Sequence, residues 1–78
     1  MDYISSDLKV NEPTLTCIGN KFVSIENYLS IITYEKDIIK IKTKRNVVNI
    51  IGLNLSIKYI IEDEMGIVGD IQRIEYTN

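Results

Sequence analysis

The sequence predicts an all-β protein: a small, single-domain antiparallel meander with a curled or partly closed sheet, preceded by a short N-terminal arm or helix. Isoleucine is the commonest residue and alanine is absent, which favours strands because β-branched side chains suit a pleated surface and lose rotamer freedom in helices. In the central segment 47–59, apolar and polar residues alternate after Gly52, as in a half-buried strand. Similar apolar–glycine–apolar joints occur at Gly19 and Gly69.

The individual elements follow from the same pattern. Residues 1–12 are polar and weakly patterned, and Pro13 stops any helix there, so an N-terminal arm or short helix precedes a β-rich domain at 13–78. Gly19-Asn20 predicts a tight turn after the first strand, and Asn27 suits a left-handed turn residue after the second. The predicted strands are 14–18, 22–25, 30–34, 38–43, 47–59 and 67–76.

The last predicted strand contains a change of phase. Ile67, Gly69 and Ile71 lie on one face, whereas Ile74 and Tyr76 have the opposite parity. An extra residue in the strand would return both sets to the core. We therefore expect a β-bulge near residues 72–73.

Length and cysteine content bear on stability. A 78-residue chain is one domain, and a core of this size is energetically marginal without a disulfide, a metal or oligomerisation. One cysteine allows no intrachain disulfide, and no histidine is present to share a zinc ion. Self-association is the remaining way to stabilise such a small core, so a homo-oligomer is expected.

Charge and hydropathy indicate a cytoplasmic setting. The formal net charge of −2 gives no general attraction to nucleic acid or anionic lipid, so nucleic acid is not an expected partner. No apolar run approaches the ~20 residues of a membrane span. The N-terminus lacks the basic and apolar regions of a secretory signal.

Enzymatic activity is not expected. Without histidine there is no Ser–His or Cys–His pair, and no polar cluster indicates a small-molecule substrate. Cys17 lies inside a predicted strand without a neighbouring cation and is expected to be a small core residue. The consecutive acids 62–64 do not have the spacing of a calcium loop and read as a solvated turn. No catalytic residue, cofactor or metal is therefore assigned.

The basic residues around the fourth strand have two interpretations. Strand alternation would place Lys40, Lys42 and Lys44 in a row, with Lys36 and Arg45 nearby. Such a row can bind phosphates or an acidic partner. Lysines also protect sheet edges from pairing with other chains, and this interpretation is preferred because no aromatic residue interleaves with them. The tyrosines at 28, 34, 59 and 76 are expected to pack on the sheet.

Five segments together resemble the YabP/YqfC family of bacterial sporulation proteins. They are P-T-L-T-C-I-G-N (13–20), I-E-N-Y (25–28), I-I-T-Y (31–34), G-L-N-L-S-I-K (52–58) and I-V-G-D-I-Q-R-I-E-Y (67–76). The I-E-N-Y segment is closer to the YqfC branch, although Leu29-Ser30 stands where that branch usually has a glycine-containing pair. The motif residues are Gly19, Asn20, Glu26, Asn27, Tyr28, Tyr34, Gly52, Asn54, Leu55 and Gly69.

The resemblance implies a small β-rich protein of endospore-forming bacteria that acts during sporulation, in the cytoplasm of the mother cell. Family members are thought to act with an integral membrane sporulation protein, which would place this chain peripheral to a membrane through its partner. No enzymatic activity or cofactor is attached to the family.

Physical reasoning suggests what the motif positions do. The glycines suit sharp bends or close strand contacts, and Asn27 and Asn54 suit side-chain bonds to turn backbone. Glu26 either caps a turn or faces a partner.

The leading hypothesis is a non-catalytic interaction or self-assembling module that uses β-augmentation. The alternative is a small nucleic-acid-binding β-barrel that uses the basic side at 40–45. The residues proposed for interaction are Glu26, Lys40, Lys42, Lys44 and Arg45.

Overall fold

A computed structural model describes residues 12–78 of the chain, and the proposed arm or helix lies outside this range except for Glu12. All six predicted strands are present, and the described residues contain no helix, which confirms the all-β class. In residues 12–78 nothing forms a helix long and apolar enough to cross a membrane. The strands are β1 (Thr14–Ile18), β2 (Phe22–Glu26), β3 (Ser30–Tyr34), β4 (Ile38–Lys42), β5 (Val47–Ile61) and β6 (Glu64–Thr77).

The strands form one antiparallel sheet in the order β1-β2-β6-β5-β4-β3. Strands β3 to β6 follow one another as a meander, and the β1–β2 hairpin is added on the far side of β6. The sheet is open, with the edge strands β1 and β3 outermost, and residues 56–61 of β5 and 73–77 of β6 also have one unpaired side.

Strands β5 and β6 are long enough to belong to two layers. In the first layer, β2 pairs with residues 64–68 of β6, which pair in turn with residues 56–61 of β5. In the second layer, β4 pairs with residues 47–51 of β5, which pair with residues 73–77 of β6. With the edge strands β1 and β3, each layer therefore has four strands.

The two layers pack face to face around one core. The alternate residues of each layer are fully buried, as period-2 patterning requires when one face of a strand is covered. Leu55, at the bend of β5, completes the same cluster. The first layer contributes Val23, Ile25, Met65 and Ile67, and the second contributes Ile39, Ile41, Val48 and Ile50.

Strands β5 and β6 bend together as they pass from one layer into the other, at a place that we call the crossing, and hairpin turns cover the bends. The N–H groups of Gly52 and Leu55 donate to carbonyls of the β3–β4 turn at 3.1 and 2.8 Å. Those of Gly69 and Ile71 donate to carbonyls of the β1–β2 turn at 3.2 and 2.8 Å. The backbone groups that bending takes out of the ladder thus remain satisfied.

The expected bulge in β6 is present. Ile51 pairs with Arg73 and Gly52 pairs with Ile71, which leaves Gln72 as the extra residue. Ile74 consequently packs against the core together with Ile71, whereas Tyr76, at the end of the strand, is exposed.

The expectation that Cys17 lies in the core is wrong. Cys17 is opposite the buried Val23 and therefore on the inward-facing side of β1, but its side chain is exposed. Because β1 is an edge strand with no neighbour on one side, the second layer does not cover this position.

Candidate functional site

Most of the glycine and asparagine motif residues meet at the crossing, where β5 and β6 pass from one layer into the other. Gly69 has a φ of +143°, and a Cβ there would lie 2.8 Å from the Asn54 carbonyl oxygen. A Cβ on Gly52 would collide with the carbonyl oxygen of Asp70. The motif therefore encodes a close backbone crossing, at which Gly19, Asn20, Gly52, Asn54, Leu55 and Gly69 lie on the bends and their covering turn.

Asn54 acts through its backbone instead of its side chain. Its φ is +53°, in the left-handed region that asparagine tolerates better than most residues. Its amide makes no hydrogen bond to the rest of residues 12–78, so the expected side-chain bond is not found there. The left-handed conformation at the irregular pairing between Leu53 and Ser56 instead brings Leu55 into the core.

Asn27 joins three parts of the chain at the end of β2. Its φ is +61°, as expected for a left-handed turn residue. Its backbone N–H donates to the Asp63 carbonyl at 2.8 Å, and its side-chain amide donates to the Glu12 carbonyl at 2.8 Å. The side chain does bond to backbone, but the acceptor precedes β1 and is not in the turn where the bond was predicted. Tyr28 follows and packs against the core.

Glu26 lies on the outer face of the first layer. It is opposite Thr14 on one side and Glu64 on the other. Its carboxylate accepts no hydrogen bond and forms no ion pair within residues 12–78, so the turn-capping interpretation gains no support there. Like charges directly opposite in a sheet are destabilising.

Tyr34 connects the edge strand β3 to the open side of β5. Its hydroxyl accepts a hydrogen bond from the Ile57 N–H at 3.0 Å. The two residues are 23 positions apart, and no local pattern indicates the contact. The hydroxyl therefore closes part of the gap between the two layers.

The basic residues separate into two groups. Lys40 and Lys42 lie on the outer face of the second layer, between the buried Ile39 and Ile41. Because β4 lies between β3 and β5, these lysines do not protect a sheet edge, and the preferred interpretation of them is wrong. Lys36 lies in the β3–β4 turn.

Thr43 ends the row of lysines after Lys42. Thr43 is buried, and its hydroxyl accepts hydrogen bonds from the N–H groups of Arg45 and Asn46, both at 3.1 Å. Such local bonds compete with strand pairing and turn the chain. Lys44 and Arg45 consequently leave the face that carries Lys40.

Glu12 pairs with both redirected cations. Its carboxylate accepts two hydrogen bonds from the Arg45 guanidinium, at 2.6 and 3.0 Å, and lies 3.1 Å from the Lys44 ammonium. The hydrogen bonds from Arg45 and then Lys44 lower the pKa of this carboxyl from 4.5 to about 2. Two of the four residues at 40–45 proposed to bind a partner are thus already paired within the chain.

The Glu12 contact predicts a specific acid sensitivity. Because the folded-state pKa is depressed, the stabilisation is complete above pH 4.5 and is lost as pH falls towards 2. Glu12→Gln should lower the melting temperature slightly at neutral pH and remove part of the wild-type loss of stability within that window. Thermal melts from pH 7 to 2 measure this, with the exposed Glu35→Gln as control. Parallel curves for wild type and Glu12→Gln would contradict the contact.

Neither edge strand carries a charged residue. Strand β1 reads T-L-T-C-I and β3 reads S-I-I-T-Y. In β3 the side chains of Ile31, Ile32 and Tyr34 are exposed, and in β1 Ile18 is exposed. Natural sheets usually block such edges with charges, proline or bulges, and only the bulge between Ile31 and Thr33 is present within these strands.

Of the consecutive acids 62–64, expected to form a solvated turn, Asp63 and Glu64 make structural contacts, and Glu64 is the half-buried first residue of β6. The Asp63 carbonyl accepts the Asn27 N–H, and Glu64 accepts a hydrogen bond from the Tyr59 hydroxyl at 2.6 Å. That bond is the largest cause of the raised pKa of Tyr59. Residues 12–78 contain no group of three His, Cys, Asp or Glu side chains that could hold a metal ion.

The family comparison covers nearly the whole chain. The model of the YabP family matches residues 9–78. The matched range contains all ten motif residues, including those at the crossing and at the end of β2. The family model describes the family as a whole and does not separate the YqfC branch. Comparison with curated proteins and with solved structures found no match.

Proposed function

Because this chain belongs to the YabP family, we propose that it acts in sporulation as a non-catalytic module that binds protein strands at the open edges of its sheet. Family membership fits a sporulation-related protein. The mode of action is our inference from the two uncharged edge strands.

The observation that carries the proposal is the composition of β3. Its outer edge has no partner strand in residues 12–78, and its exposed side chains are apolar. An added strand would satisfy the unpaired backbone groups and cover Ile31, Ile32 and Tyr34 at the same time. Strand addition to an exposed edge uses main-chain hydrogen bonds for affinity and such side chains for specificity.

Two partners suit this edge. A second copy would account for the stability of a small core without a disulfide, and an integral membrane sporulation protein would match the family expectation. In the second case the chain would work in the mother-cell cytoplasm, held at a membrane through that partner. Nucleic acid is a weaker proposal, because Lys44 and Arg45 are paired with Glu12.

A charge placed in the middle of β3 tests the proposal. Ile32→Lys should leave the fold intact, since this side chain is 52% exposed. It should weaken strand addition by replacing the apolar contact with a charge that disfavours a neighbouring strand. Losing the burial of one isoleucine side chain, ~2 kcal/mol, lowers the affinity roughly 30-fold.

The readouts are the thermal melt, the mass in solution and the yield of heat-resistant spores when the variant replaces the wild type. The control is Leu53→Lys, an equally exposed apolar residue on β5. We expect Ile32→Lys to melt like the wild type and to lose spore yield, while Leu53→Lys keeps both. A folded Ile32→Lys variant with normal association and sporulation would refute the edge mechanism.

A further inference from the structure

The outer faces of the two layers carry opposite charges. The outer face of the first layer contains Glu26 and Glu64 and no lysine or arginine in its paired rows. We call it the acidic face, and its rows are Thr14–Glu26–Glu64–Ile61, Thr16–Ser24–Gly66–Tyr59 and Ile18–Phe22–Val68–Ser56.

The corresponding surface of the second layer is basic. Its charged residues are Lys40, Lys42 and the ion pair between Arg73 and Glu75, in which the nitrogen and oxygen are 2.8 Å apart. We call it the basic face, and its rows are Ser30–Lys42–Val47–Thr77, Thr33–Lys40–Asn49–Glu75 and Ile38–Ile51–Arg73.

Each face carries two charged residues that form no ion pair within residues 12–78. Glu26 and Glu64 are directly opposite each other, and neither forms an ion pair with any of residues 12–78. The same holds for Lys40 and Lys42, which are two residues apart on β4. Each face thus presents two neighbouring like charges, and the directly opposite carboxylates of the acidic face cost stability unless opposite charges approach.

Both faces have their unpaired charges towards one end and apolar side chains towards the other. On the acidic face, the charged row is followed two rows later by the apolar row that contains the exposed Ile18 and the ring of Phe22. On the basic face, the two lysine rows are followed by the row that contains Ile38, Ile51 and Arg73. When the two faces meet, the carboxylates of one can therefore approach the ammonium groups of the other.

We propose that the acidic face of one copy binds the basic face of a second copy. The contact joins two different surfaces of the same chain, so it is heterologous and continues head to tail as an open assembly. Complementary potentials of this kind favour association and fix its register. This contact uses faces instead of edges, and it is independent of the strand addition proposed above.

The composition of the faces favours a second copy over nucleic acid. The basic face contains the carboxylate of Glu75 and no aromatic ring in its paired rows, whereas single-strand binders need stacking platforms. A nucleic acid would also leave the two carboxylates of the acidic face without a role.

Charge reversal with rescue tests the proposal. The first variant, Lys40→Glu with Lys42→Glu, has two acidic faces, and the second, Glu26→Lys with Glu64→Lys, has two basic faces. Each should self-associate at least tenfold more weakly than the wild type, because like faces repel. An equimolar mixture should assemble again, because every contact then joins opposite charges.

The measurement is mass in solution by light scattering at low and high salt, with circular dichroism to verify folding. Wild-type mass should fall with salt, since exposed charges are screened over about 10 Å at 0.1 M. The control is Lys36→Glu with Lys58→Glu, which changes the net charge by the same amount as the Lys40 and Lys42 reversal. Both positions are exposed and lie outside the basic face, so this variant should assemble normally.

A milder variant keeps the test possible if Glu26→Lys with Glu64→Lys does not fold. Glu26→Lys alone keeps the Tyr59–Glu64 hydrogen bond and converts a like-charge pair into an opposite one, so it should fold and still assemble more weakly. A monomeric wild type, or variants that assemble like it, would overturn the proposal. If the equimolar mixture of the two charge-reversed variants does not assemble, the proposal is also overturned, and the basic face would then bind another ligand. The Ile32→Lys variant should still stack, which separates this failure from that of the edge mechanism.

Discussion

Gly52→Ala should leave the protein largely unfolded in dilute buffer. The added methyl group would occupy the position of the Asp70 carbonyl oxygen on β6, and this obstacle is backbone that belongs to the paired ladder. The strands would have to separate at the crossing, where the N–H of Gly52 also bonds to the Asp37 carbonyl. Overpacking a core typically costs ~1–3 kcal/mol and more where nothing yields. A domain of this size rarely has more than ~3–5 kcal/mol in total.

Far-ultraviolet circular dichroism and urea unfolding measure this effect. The control is Gly19→Ala, since Gly19 also has a positive φ, +56°, but no atom lies within 4 Å of a Cβ there. Its cost should be only ~1–2 kcal/mol, that of an L residue in the left-handed region. A Gly52→Ala variant as stable as Gly19→Ala would show that the backbones of β5 and β6 do not approach closely at this point.

Ile50→Ala should destabilise the protein by about 2–5 kcal/mol, the usual cost of emptying a buried isoleucine site. Ile50 has no exposed surface and lies in the middle of the second layer, between Ile39 on β4 and Ile74 on β6. A cavity there is bordered by strands on both sides, which limits collapse of the surrounding residues.

The matched control is Ile61→Ala on the same strand. Ile61 is 61% exposed, so its truncation should change stability by no more than ~0.5 kcal/mol. Urea unfolding of both variants gives the comparison. Equal losses for the two positions would contradict the assignment of the core to the facing layers.

Features encoded by neighbouring residues were predictable. The alternation around Ile39 and Ile41 defines β4, and the change of parity between Ile71 and Ile74 locates the bulge at Gln72. The left-handed conformation of Asn27 followed from its residue type. In each case the physical cause acts within a few residues, because side chains alternate along a strand and only certain residues tolerate a positive φ.

Features that depend on contacts between distant parts of the chain were not predictable from the sequence. Cys17 has the pattern of a core residue, but it is exposed because β1 became an edge. Lys44 continues the alternation of Lys40 and Lys42, yet the Thr43 turn directs it to Glu12, 32 positions away. The opposite charges of the two outer faces appear only when β2 pairs with β6 instead of with β3.

Six strands, their inward-facing residues and the glycines at which they bend can be read from the sequence, because these properties come from local geometry and side-chain type. The strand order, the identity of the edges and the grouping of charges into two faces depend on tertiary contacts. Strand order depends on which apolar faces bury one another, and this balance involves the whole chain. The edges and charged faces through which we propose that the protein acts are therefore properties of the assembled sheet.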